Sequence, residues 1–290
     1  MKLNTIKHFI LIPVFNDWRS LNKLLIDIEN TFEESSGKTI EILVINDKSS
    51  EKIKIEKKNF IKITRIKVIS LSKNLGSQKA IAIGLSYLKN IKEDFIVTVM
   101  DGDGEDNPLH INDMTKLANN FPSHVITSNR KRREESWFIV FCYQIHLIIT
   151  FLFTLKWISF GNFSTFRSKN LVKLLSNNSS WFAHSSAVIK NCSIKRIYFK
   201  REKRYFDKSK LGFLSLVEHS IRVNSVFFGK ILFFSLIYIL ISFIFLPIIF
   251  TFFIIILIST YNLAIYLIKL KHSINNLNTL TELIIKEDSF

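Results

Sequence analysis

The sequence predicts an α/β fold built on a mostly parallel sheet, completed by interfacial helices and followed by a hairpin that enters a membrane. Three observations carry that expectation. Residues 1–130 alternate short apolar runs with helical patterns, which implies right-handed crossovers and a largely parallel sheet. Polar clusters follow the apolar runs, where open α/β sheets bind their ligands. Finally, Ile231 to Ile268 runs for 38 residues without a charge, too long an apolar stretch for a soluble domain of this size to bury.

Taken in order, Phe9 to Val14 reads as a buried strand and Trp18 to Phe32 as an amphipathic helix. Glu41 to Asn46 and Arg65 to Leu71 give two further strands. Ser77 to Leu88 is helical, Phe95 to Met100 a fourth strand, Pro108 to Asn119 a helix and Val125 to Thr127 a short strand. Trp137 to Phe160 is 24 residues long with Lys156 as its only charge. Gln144, His146 and Lys156 interrupt it, and an interfacial helix is expected there ahead of a span. In 231–268, Pro247 falls near the middle and basic residues flank both ends (Arg222 and Lys230, Lys269 and Lys271). A two-helix hairpin with both ends in the cytosol is expected ahead of one long or re-entrant segment. The expected organisation is a catalytic core over 1–135, interfacial helices and a basic segment completing the domain over 136–230, membrane segments over 231–268 and a cytosolic tail over 269–290.

Composition narrows the classes. Forty Lys+Arg against 24 Asp+Glu give a net charge of +16, yet 48% of residues are hydrophobic and 27 are Phe. Mean hydropathy is +0.21. Disorder is excluded by that hydrophobicity, and a disulfide scaffold by the presence of only Cys142 and Cys192. Nucleic-acid binding is disfavoured, because the aromatics concentrate in the apolar stretches rather than among the basic residues. Basic charge combined with excess apolar residues points to an anionic membrane surface. His8, His110, His124, His146 and His184 stand in no metal-binding spacing and are read as core or surface residues.

The sharpest chemical feature is Met100-Asp101-Gly102-Asp103-Gly104-Glu105-Asp106-Asn107-Pro108. Four acids within six residues repel one another, and a hard divalent cation relieves that repulsion while leaving positions for phosphate oxygens. As an isolated string it is more readily a solvated acidic turn. A calcium loop would need an acid at the twelfth position, where Asn112 stands. The position after a buried fourth strand favours a site.

Four motifs in order then resemble glycosyltransferase family 2 with the GT-A fold, the Rossmann-like nucleotide-diphospho-sugar transferase domain. Phe9 to Asp17 is similar to the family's "vViPvYNE" strand and Ile45 to Ser50 to "vDDgSsD". Leu71 to Ala80 is similar to "lsrNfGkeaA", and Met100 to Pro108 to "MDaDlQdpP". The later half resembles the dolichyl-phosphate mannosyltransferase-like branch, the polyprenyl-phosphate glycosyltransferases. Ser128 to Arg133 is similar to "G.R..R", Gly161 to Lys169 to "dFrLldr", and Arg201 to Lys210 to "R..R..GkSk". Asn46 replaces the first Asp of the family's pair, and the last apolar segment has Ser259-Thr260-Tyr261 where members carry "GEY".

The resemblance implies a nucleotide-sugar donor, contacted by Pro13, Phe15, Asn16, Asp17, Asn46, Asp47, Asn74, Gly76 and Asp101. It implies Mg²⁺ or Mn²⁺ on Asp101, Asp103 and Glu105, with Asp101, Asp103, Arg130 and Arg133 as the catalytic set. It further implies a polyprenyl phosphate acceptor at Arg130, Arg133, Arg201, Arg204, Ser209 and Lys210, in a multi-pass protein of the inner membrane with a cytoplasmic catalytic domain. A lipid phosphate is already ionised at neutral pH and requires no general base, whereas guanidinium groups match its oxygens. These basic residues would equally attract anionic headgroups. A saccharide acceptor would need a further carboxylate, and 136–200 contains no Asp or Glu. A catalytically silent membrane subunit is the remaining alternative, and a homo-oligomer stays open.

Overall fold

The structure is a computed structural model that describes residues 6–32, 40–56, 59–130, 137–200, 202–206, 212–273 and 282–290. The chain divides into two compact units: residues 1–133, 160–208 and 276–290, and residues 134–159 and 209–275.

The first unit is an eight-stranded sheet among the described residues. In chain order its strands are β1 (Lys7–Val14), β2 (Ile40–Asn46), β3 (Ile63–Leu71), β4 (Phe95–Val99), β5 (His124–Arg130), β6 (Phe160–Arg167), β7 (Ser193–Phe199) and β8 (Ile284–Ser289). Their spatial order is β7-β5-β6-β4-β1-β2-β3-β8. β3, β2, β1 and β4 run parallel, as does β5 with β7. β6 lies antiparallel between β4 and β5, and β8 pairs antiparallel with β3. The sheet is thus mostly parallel, with β6 and β8 reversed. The strand order turns back at β1, so the crevice at the carboxyl ends of β1, β2 and β4 is the topological switch point where such sheets bind ligands.

Both faces of the central strands are covered, which explains their continuous apolar runs. On one face α1 (Trp18–Thr31) and α3 (His110–Asn120) pack Trp18, Leu21, Leu25, Ile28 and Met114 against Ile10, Ile12, Ile42 and Val44. On the other lies α2 (Ser77–Leu88), where a Cβ on Gly84 would stand 2.3 Å from Leu11 Cδ1. Glycine there lets the helix press against β1. The short helices α5 (Lys169–Leu174), α6 (Ser179–Phe182) and α7 (His184–Asn191) link β6 to β7. Arg167 and Ser168 at the end of β6 hydrogen-bond Asp94 beside β4, and the guanidinium holds the Asp94 carboxyl below its usual range.

The second unit contains α4 (Trp137–Thr154), α8 (Phe213–Ser225), α9 (Phe228–Phe245) and α10 (Ile248–Lys271). α9 and α10 form the expected hairpin, with Leu246 and Pro247 at the turn. Pro fits this place because the first turn of a helix has no partner for the N–H it lacks. α4, α9 and α10 are each long and apolar enough to cross a membrane, and only 17% of each apolar window is buried within the protein. Phe233, Phe243, Phe245, Phe253 and Leu257 all point outwards. So much exposed apolar surface suits lipid rather than water. Between the helices the polar groups pair with one another. Tyr238 Oη donates to Leu152 O (2.6 Å), Thr150 Oγ1 to Asn224 Oδ1 (2.9 Å), and Asn262 Nδ2 to Ser235 Oγ (3.1 Å). At the end of α10, Lys271 and His272 both reach Glu218, and their hydrogen bonds hold its carboxyl below the usual range.

Candidate active site

The loops after β1 and β2 are stitched into one wall. Asn16 takes a left-handed φ of 49°, which asparagine tolerates better than most residues. Its N–H donates to Ser49 Oγ (2.9 Å), and its Oδ1 accepts the Ser50 N–H (2.8 Å). Asn46 is buried, donating through Nδ2 to Ser70 Oγ (3.1 Å) and accepting the Ser49 N–H (2.9 Å). The Asp47 N–H donates to Val14 O (2.8 Å). Its carboxylate accepts the N–H groups of Leu75 and Gly76, both at 2.7 Å, which bends residues 72–76 into the start of α2. Burial raises the Asp47 pKa, against the opposing pull of those two N–H groups and Lys79. Phe15 and Asn74 are exposed on this rim.

The acidic loop follows β4. The Asp101 N–H donates to Asp106 Oδ2 (3.0 Å), and the Glu105 N–H to Asp103 Oδ1 (3.0 Å). Gly104 has a φ of +89°, and a Cβ there would lie 2.4 Å from the Tyr205 ring, so glycine serves both the turn and the close approach. Asp101 Oδ1 accepts from Asn162 Nδ2 at 2.8 Å. Asp103 is paired with Arg204 (3.0 Å), whose other terminal nitrogen lies 3.5 Å from Asp17. Residues 202–206 run along the loop, with the Tyr205 N–H on Asp103 O (2.9 Å) and the Glu202 N–H on Glu105 O (3.1 Å). Arg19 stacks on Phe206 at 3.8 Å. Burial, a hydrogen bond to Asp27 and the neighbouring acids push the Tyr205 hydroxyl pKa upwards, so it stays protonated.

Asp17 of the first motif and Asp103 of the fourth therefore come together, through Arg204, at the carboxyl ends of β1 and β4. Arg204, expected at the acceptor phosphate, is engaged with Asp103 and Asp17. Arg130 ends β5. Arg133, Arg201, Ser209 and Lys210 lie outside the described residues. Among the described residues no three His, Cys, Asp or Glu side chains form a metal cage. The donor set nevertheless fits a hard cation: the loop offers carboxylate oxygens, and Asp103 already accepts positive charge from a guanidinium. Asp101, Asp103 and Glu105 are the residues that could hold it. A cavity of about 300 Å³ lined by Lys7, Arg65, Lys67 and Lys92 opens at the amino ends of the strands and contains none of the expected site residues.

The profile of glycosyl transferase family 2 matches residues 9–189, so the chain belongs to that family. Among solved structures it is similar to glucosyl-3-phosphoglycerate synthase from Mycobacterium tuberculosis in complex with Mn²⁺, UDP and phosphoglyceric acid. There the identity is 12%, coverage is 78% of each chain and the TM-score is 0.51. Mannosyl-3-phosphoglycerate synthase from Rubrobacter xylanophilus gives 12% identity, 78% and 74% coverage and a TM-score of 0.50. S. aureus TarS 1–349 gives 16% identity and a TM-score of 0.48, with 78% of this chain and 66% of that one covered. The chain spans 40% of the longer TarS chain.

Three residues of the site were not singled out by sequence reasoning. Gln78 lies in the Leu71 to Ala80 motif and Asn162 in the Gly161 to Lys169 segment, where the resemblance implies no role for either, and the spacing of His184 predicts only a core or surface residue. Their hydrogen bonds link β6, α2 and α7, contacts to which local patterns are blind.

Proposed function

We propose that this chain transfers a glycosyl unit from a nucleotide-sugar donor to a polyprenyl phosphate at a membrane surface. The observation that carries the reading is the acidic loop at the switch point of a family 2 fold, in a chain whose described residues also include three apolar helices long enough to cross a membrane. Asp101 and Asp103 lie where a donor diphosphate would be received, and the wall formed by Asn16, Asn46 and Asp47 is the expected place for the nucleoside. A divalent cation bound here would neutralise the leaving diphosphate as the sugar bond breaks. The acceptor phosphate is itself the nucleophile, which agrees with the lack of any Asp or Glu in 136–200. Basic residues of 130–133 and 201–210 would draw it towards the anionic donor.

The apolar helices, each long enough to cross a membrane, support a reading in which transfer takes place at lipid. Gln144 and His146, which interrupt the apolar run of α4, support α4 lying in the interface while α9 and α10 cross.

The test uses purified chain in lipid micelles, offered a panel of nucleotide-sugars with Mn²⁺. Nucleoside diphosphate release that requires polyprenyl phosphate and stops with EDTA is expected. Release driven by a saccharide acceptor, with none from polyprenyl phosphate, would replace this acceptor with the other class.

A further inference from the structure

We infer that Gln78 and Asn162 form an amide relay, buried at its Gln78 end, that positions Asp101, making Gln78 a positioning residue for the acidic loop; this rests on the reading of that loop as the metal and diphosphate site. The direction of the relay is fixed at its far end. The backbone N–H of His184 donates to Gln78 Oε1 at 2.8 Å. A backbone N–H has no alternative role, so the other end of Gln78 is its NH₂ group. That group donates to Asn162 Oδ1 at 2.9 Å, which leaves the Asn162 NH₂ facing Asp101 Oδ1 at 2.8 Å. Donors and acceptors therefore point one way along the whole chain, from the start of α7 to the acidic loop.

A second hydrogen-bonded arm holds the backbone of Asn162. Ser164 Oγ donates to Asn162 O at 3.0 Å and so accepts from His184 Nε2 at 2.8 Å. This assigns the ring proton of the neutral histidine to Nε2. Gln78, Ser164 and His184 are all buried, Gln78 with 4% exposure. Aligned hydrogen bonds in such surroundings strengthen one another and penalise a missing partner. Asp101 consequently receives a fixed donor on one carboxylate oxygen, which sets the plane of the group. α7 also gains, since its first turn has no capping side chain of its own. Capping alone would stabilise the fold without touching the acidic loop, and metal affinity separates the two roles.

The measurement is Mn²⁺ binding to the full chain in micelles, followed by the electron paramagnetic resonance signal of the free ion, beside the thermal midpoint. In Gln78→Glu the side chain no longer donates, so the Asn162 amide must turn its oxygen towards Asp101. Mn²⁺ affinity is expected to fall about tenfold or more, the usual scale for a lost partner of a ligand. Asn162→Ala is expected to do the same, and decides the matter if Gln78→Glu does not fold. Asp101→Asn is expected to lose the site. Affinities of both relay variants within about twofold of the parent, with Asp101→Asn deficient, would overturn the relay and leave the site standing. Unchanged binding in Asp101→Asn would overturn the relay together with the reading of the loop.

Discussion

At the residue scale, the two carboxylates that define the acidic loop are held by different means. Asp101 receives a neutral amide donor, whereas Asp103 is paired with the Arg204 guanidinium at 3.0 Å. A cation held beside a leaving diphosphate is commonly worth two orders of magnitude or more in rate, and Asp103 is one of the residues that would hold it. Asp103→Ala is accordingly expected to lower sugar transfer about 100-fold or more while the protein remains folded, as measured by initial rates at saturating donor. His184 makes a separate prediction about stability. Complete burial depresses its pKa to about 4 from 6.5, because a charged ring would be stranded. The unfolded chain therefore takes up this proton first as pH falls. Stability present above pH 6.5 should decline between there and about pH 4, by on the order of 3 kcal/mol. Thermal midpoints between pH 7 and 5 should drop less steeply in His184→Gln than in the parent.

At the element scale, the central strands were legible because both their faces are covered, leaving continuous apolar runs at β1, β2 and β4. β6 was not, for a physical reason. Its Ser164 and Thr165 are fully buried and satisfied by His184 and by Thr98, itself bonded to His8, so polar residues stand where a strand pattern needs apolar ones. β7 has no fully buried residue, and β8 is an edge strand carrying Lys286, Glu287 and Asp288, read from sequence as part of a tail. The motifs at the carboxyl ends of β1, β2 and β4 were readable because each is contiguous. The relay was not, since it exists only once β6 runs antiparallel beside β4, with Ser164 opposite Val99. The entry to β3 gives a further test. Burial alone would raise the Glu29 carboxyl, but the N–H groups of Lys62, Ile61 and Ile63 outweigh it and hold it below 4.5. Glu29→Gln removes one of the accepting oxygens and should cost about 1–2 kcal/mol at neutral pH, seen as a lower thermal midpoint. The contribution of the native carboxylate is lost below about pH 4.5, a window beneath most of that of His184.

At the scale of the whole molecule, the net charge of +16 and the three apolar helices describe one habit. At a membrane the helices would supply apolar contact, and the basic residues would add attraction to anionic headgroups of roughly 1 kcal/mol each near the surface. Salt screens only the second contribution. Membranes washed with high salt are therefore expected to retain the protein, with release only on adding detergent, as judged by fractionation. Release by salt alone would mean that the apolar helices are covered by something other than lipid.

The proposed delivery of a sugar to a lipid phosphate through the acidic loop would leave a lipid product that mass spectrometry reads directly. The parent and Asp103→Ala would each be incubated with nucleotide-sugars, Mn²⁺ and polyprenyl phosphate. A glycosylated polyprenyl phosphate is expected from the parent, absent without Mn²⁺ and reduced about 100-fold or more in the variant. Equal product from the parent and Asp103→Ala would contradict it.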